Sequence, residues 1–290
     1  MSKAKDLGIA VIAIVAIAAI VATVASLVSA KSAKPARPVQ GCQVSVDGHS
    51  TSLSFEQSEN AAMIVGESLR RGLPARAATI ALTTAYQESN LINLDHGDLD
   101  SIGLFQQRPS QGWGTEEKIM DPWYSAGAFY DRLIQVPDWQ TDDISDVAQK
   151  IQISNHPDAY RKHEANARAW ASALTGFSPA SVSCVDQQDN PAAPDKLIAF
   201  LNHVWGENLS ISQEAETVTV LAGSEPTTWA IAQLSQLLGQ QIGLVSASTN
   251  GFQWTMSPDA YQRWEPNQSA AAAEGTWQAT VTLRAPRKGA

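Results

Sequence analysis

The chain has 290 residues and a formal net charge of -9, with 20 Lys and Arg against 29 Asp and Glu. That length holds one or two ordinary domains plus a targeting element. The acidic balance excludes nucleic acid as a partner, because phosphate binding needs clustered Lys and Arg, and it gives no electrostatic reason to adhere to an anionic membrane or wall polymer.

Residues 7–30 carry no charge and are rich in Ile, Val, Ala and Leu. About two dozen helical residues rise roughly 36 Å, enough to cross a hydrocarbon core of about 30 Å. Val28-Ser29-Ala30 also resembles a signal-peptide cleavage site. The apolar run exceeds the roughly 7–15 residues of a signal core, so residues 1–30 are expected to be a single transmembrane anchor. Lys3 and Lys5 before the span, and Lys31, Lys34 and Arg37 after it, leave its orientation open. The two cysteines, Cys42 and Cys184, lie near the ends of the next ordered segment. A disulfide between them would clasp that segment and imply an oxidising compartment; two unpaired buried thiols are the alternative. Residues 31–290 are therefore expected outside the cytoplasm, on the extracellular side of the cell membrane.

Residues 31–51 read as a polar, Pro-containing linker. Residues 52–184 then read as a mainly α domain. Ser58 is the expected cap of a first helix carrying Ala61, Ile64, Val65 and Leu69, which Gly72 and Pro74 end. A second helix is predicted over 75–89. Asp121-Pro122 is a strong helix start, with Asp as cap and Pro at the first helical position. Val147, Ala148 and Ile151 mark another helix; Tyr160, His163, Ala167, Trp170 and Leu174 mark the last. No strand-like alternation is evident in 52–178. A second linker, 185–194, precedes a small α+β domain over 195–290. Its helices are expected near 196–205 and 226–239, and its strands at 216–222, 242–248, 252–256 and 276–283, with a turn at Asn250-Gly251. No chemistry-bearing motif appears in it.

The chemistry concentrates in 86–114, YQESNLINLDHGDLDSIGLFQQRPSQGWG. On the second helix Ala77, Ile80, Ala81, Thr84 and Ala85 share one face, and Glu88 continues it. Acids are rarely placed on a buried stripe. Partial desolvation and the negative end of the helix dipole would both raise the pKa of this one, as a general acid requires. Otherwise Glu88 is a solvated residue at a fraying helix end. Asp95, Asp98 and Asp100 in the loop beyond are candidate second carboxylates for a hydrolytic route, with a solvated acidic turn as the simpler reading. His96 among them does not give the spacing of a calcium loop, and neither metal nor cofactor is expected. Tyr86, Trp113, Trp123 and Trp139 surround the window. Trp113, between Gly112 and Gly114 in a polar loop, is the aromatic expected to stack on a sugar. Arg108 is placed to meet a substrate carboxylate or to pair with a loop Asp.

Glu88-Ser89, a short polar loop, then Ser101-Ile102-Gly103-Leu104-Phe105-Gln106-Gln107 resembles the Glu-Ser and Gly-Leu-Met-Gln pattern of lytic transglycosylases and goose-type lysozymes, members of the lysozyme-like superfamily. The resemblance, over roughly 52–178, suggests such a domain in a membrane-anchored envelope protein of the Gram-positive, actinobacterial kind. It implies a helical lysozyme-like fold, peptidoglycan glycan strands as substrate and Glu88 as the catalytic acid. By position, Ser89 would buttress the acid, Gly103 would let glycan approach the backbone, and Gln106 would hydrogen-bond substrate, with Ser101, Gln107, Trp113 and Tyr86 completing the binding set. Phe105 stands where Met is usual. The Tyr-Asn motif of the final helices is replaced by Lys150-Ile151-Gln152-Ile153-Ser154-Asn155, so Gln152 is the expected substitute for the Tyr.

The sequence therefore points to a peptidoglycan hydrolase, a lytic transglycosylase cleaving between MurNAc and GlcNAc with a single glutamate. The alternative is a non-catalytic glycan-binding envelope protein. The 195–290 domain would dock an envelope protein partner or restrict access to the groove.

Overall fold

The computed structural model describes residues 38–153, 157–270, 273 and 275–285. The expected membrane span lies outside them. Among the described residues no helix is long and apolar enough to cross a membrane.

The chain begins with a hairpin, β1 (Gly41–Val46) and β2 (His49–Leu53). Asp47 and Gly48 both take positive φ at its two-residue turn, the backbone that matches the twist of flanking strands. Ser54 then caps α1 (Phe55–Arg70) in a reciprocal capping box with Gln57. The expected cap, Ser58, lies one turn inside and is fully buried. Helix α2 (Ala75–Ser89) follows, its Ala- and Thr-rich surface almost wholly buried up to Tyr86. The short α3 (Glu116–Ile119) leads to α4 (Pro122–Leu133), capped by Asp121 with Pro122 at the first helical position as expected. Helices α5 (Ile144–Gln152) and α6 (Glu164–Leu174) complete the helical layer around α2.

Strand β3 (Val182–Val185) returns to pair with β1, giving a three-stranded antiparallel sheet of order β2-β1-β3. Cys42 lies directly opposite Cys184 in that pairing, and the two form the expected disulfide. Beyond it come α7 (Pro194–Trp205), β4 (Ser210–Glu214), β5 (Thr217–Ala222), α8 (Glu225–Leu237) and the short α9 (Gly239–Ile242). The last strands are β6 (Leu244–Thr249), β7 (Phe252–Thr255), β8 (Glu265–Pro266) and β9 (Trp277–Leu283). They build a six-stranded antiparallel sheet of order β4-β5-β9-β6-β7-β8.

The expectation of a mainly α architecture is thus corrected: the fold is mixed α/β with two antiparallel sheets. Strands β1 and β2 fall in a stretch read largely as linker. β2, HSTSL, exposes most of its side chains and carries little of the apolar alternation that marks a strand. Strand β4, SISQE, is an equally polar edge.

The two sheets and the helices share one continuous core within a unit that covers 38–290. Helix α8 packs on β6, β9 and β5, and it also contacts α6, α1 and β3. Its fully buried Gln233 is the main polar tie. The side-chain oxygen accepts from the backbone N–H of Ser181 (2.9 Å) and Val182 (3.2 Å), and the amide donates to the carbonyls of Ala173 (2.7 Å) and Ser178 (3.1 Å). Burying an amide with both ends satisfied fixes α8 against the end of α6.

Candidate active site

Glu88 sits in the last turn of α2, just before Asn90 ends the helix in the left-handed conformation. Ala77, Ile80, Ala81 and Ala85 on its stripe are fully buried, and the stripe delivers the carboxyl, half-buried, to the wall of a cleft of about 890 Å³. The Tyr160 hydroxyl donates to Glu88 Oε1 at 2.6 Å. Gln152 reaches the same carboxyl with its amide, which also donates to the Phe105 carbonyl at 2.7 Å. Burial pushes the Glu88 carboxyl above its ordinary value of 4.5, and the hydrogen bonds from Tyr160 and Gln152 offset only part of that.

Tyr160 is a residue the sequence pointed to only as core. It is buried, between two short 3-10 turns, Pro157–Ala159 and Arg161–His163, that lead into α6. Glu88 therefore has a Tyr partner, but eight residues beyond Gln152, the expected substitute. Gln152 joins Tyr160 on the acid rather than replacing it. Ser154 and Asn155 lie outside the described residues.

The loop after α2 is held against it by Ser89, whose hydroxyl donates to the Leu104 carbonyl at 2.7 Å. Ser89 thus buttresses the loop that faces the acid. Ile102 and Gln107 pair as an isolated antiparallel bridge across the turn. Gly103 takes φ +79° there, and a Cβ on it would come within 3.0 Å of the Ile119 carbonyl oxygen. Its close approach is to α3, and it does not line the cleft. Gln106 does; its amide donates to the carbonyls of His96 (3.3 Å) and Gly103 (3.4 Å). Ser101 also lines the cleft. Gln107 is buried, donating to the Ser125 carbonyl at 2.9 Å, and Tyr86 is buried and stacked on His163, so neither is at the cleft surface. Phe105 stacks on Phe129 in the core.

Trp113 touches the cleft but is only 7% exposed. The Arg132 guanidinium, from α4, sits 3.4 Å over the centre of its ring. The flanking glycines suggested an open loop; a cation instead covers one face of the indole. Trp139 is buried, and Trp123 packs on Phe200 and His203.

The loop aspartates divide. Asp95 pairs with His96 at 2.7 Å. Asp100 accepts from Arg108 Nε (2.7 Å) and from the Ser110 N–H (2.8 Å), which hold its carboxyl well below the usual range. Asp98 is exposed and lines the cleft. Among the described residues, no group of three or more His, Cys, Asp or Glu side chains is placed to hold a metal ion. A comparison of the chain with protein-family models and with curated proteins finds no match.

Proposed function

We propose that the chain cleaves the glycan strand of peptidoglycan as a lytic transglycosylase, with Glu88 as its one catalytic acid and base. The observation that carries this reading is a carboxyl on a cleft wall, raised in pKa by burial and held at 2.6 Å by Tyr160. A group poised in this way is protonated at higher pH than a free carboxyl and has a fixed direction of proton delivery.

Glu88 protonates the glycosidic oxygen between MurNAc and GlcNAc, and the C–O bond breaks with help from the sugar's own N-acetyl group. The resulting carboxylate then takes the proton from a hydroxyl of the same sugar as that oxygen bonds to the anomeric carbon. The product is an anhydro end, and Glu88 regains its proton. Asp95 and Asp100 are engaged in the loop; Asp98 is the remaining candidate at the cleft, and the proposed route does not use it. The disulfide fits an oxidising, cell-wall-side location.

The test is solubilisation of purified sacculi by the parent chain and by Glu88→Gln. The reading requires release by the parent and its loss in the variant. Equal release by both would reject Glu88 as the acid, and release by neither would favour a binding module.

A further inference from the structure

The same cleft holds two arginines in different states. Arg108 is paired with Asp100 at 2.7 Å. Arg132 has no carboxylate partner among the described residues, although the chain carries a net charge of -9. Its guanidinium carbon sits 3.4 Å over the centre of the Trp113 ring, and Nη2 donates a hydrogen bond to the Gln111 carbonyl at 3.2 Å. Gln111, Trp113 and Arg132 all line the cleft that holds Glu88. Burial disfavours the charge on Arg132, a cost the protein offsets with one carbonyl and one ring face. The remaining N–H groups of the planar fork keep the geometry that matches a carboxylate.

We propose that Arg132, oriented by Trp113, is an anion subsite that receives a carboxylate carried on the substrate's muramyl unit. This rests on the glycan-cleaving reading and deepens it. The chemistry has two sources on peptidoglycan: the lactyl carboxylate of a peptide-free MurNAc, or a carboxylate of the stem peptide. In either case the cleft distinguishes muramyl glycan from a neutral N-acetylglucosamine polymer, which offers the same acetamido groups without the anion. Trp113 acts here as the platform of the cation rather than as a bare sugar-stacking face.

The test uses the full chain as Glu88→Gln, which allows binding without cleavage, and the same chain carrying Arg132→Gln or Arg132→Lys. Calorimetry measures affinity for a peptide-free MurNAc–GlcNAc tetrasaccharide, its stem-bearing counterpart, and both after carboxyl amidation. With Arg132 present, a carboxylate form binds about tenfold or more tightly than its amidated form. Arg132→Gln abolishes that preference, and Arg132→Lys retains part of it. A preference on the peptide-free ligand assigns the lactyl carboxylate; one confined to the stem-bearing ligand assigns the peptide. Equal affinity for charged and amidated ligands overturns the subsite, as does a preference that survives Arg132→Gln. A loss of affinity shared equally by all four ligands makes Arg132 merely structural and also overturns it. Failure of the catalytic reading is separate: the Glu88 parent would cleave none of the ligands while the Arg132-dependent preference persisted.

Discussion

Tyr160 and Glu88 are 72 residues apart in sequence and share a 2.6 Å hydrogen bond at the cleft wall. The phenol donates, so it stabilises the ionised carboxylate and draws the Glu88 pKa down against the larger effect of burial. Tyr160→Phe removes that donor and leaves the burial. The Glu88 pKa then rises further, and the alkaline limb of the kcat/KM profile, where the acid is lost, moves to higher pH. Release of muropeptides from sacculi as a function of pH measures the shift. An unmoved or acid-shifted limb would show that Tyr160 does not act on the catalytic proton.

The raised pKa of Glu88 also has a stability consequence. Folding favours the protonated carboxyl, so its contribution is fully present below about pH 4.5, the unfolded value, and is lost as pH rises through the higher folded one. Glu88→Gln keeps the shape and removes the charge. The variant should unfold at a higher temperature than the parent at neutral pH, with the gap closing near pH 4. Calorimetric melting at the two pH values checks this, and a variant less stable than the parent at neutral pH contradicts it.

Gln233 sets the mechanical relation between the second sheet and the helical layer. Its amide oxygen and nitrogen each serve two backbone partners in the interior. Gln233→Ala leaves those groups unpaired and opens a cavity, a loss on the order of 3 kcal/mol. Because the core is continuous across α8, residues 38–290 should melt in a single transition that shifts down as a whole. Two resolved transitions, with only the later-sequence one shifted, would contradict this.

Local signals were the legible ones. The Ala and Thr stripe set α2 and put Glu88 at its end, and Asp121-Pro122 marked the start of α4 through a cap that needs no distant residue. The paired cysteines were also readable, since bridging them demands only that the two ends of the segment they bracket meet. What stayed hidden depends on tertiary placement. Tyr160 reaches Glu88 only because the 3-10 turns before α6 fold back onto the end of α2, and those turns have no period to read. Trp113 looked exposed because glycines flank it, yet the residue covering it, Arg132, comes from a helix that the loop sequence cannot foresee. Strands β2 and β4 escaped notice because a sheet edge needs backbone pairing more than apolar side chains.

The single-carboxylate claim is tested most directly by mass spectrometry of muropeptides released from purified sacculi by the parent, Glu88→Gln and Asp98→Asn. Asp98 is the cleft-lining acid without a role in the proposed route. The account predicts anhydro-muropeptides from the parent and from Asp98→Asn at rates within a few-fold. For Glu88→Gln it predicts a loss of at least about 100-fold, the scale of removing a general acid. Reducing ends that disappear with Asp98→Asn, or anhydro products from Glu88→Gln at the parent rate, would contradict it.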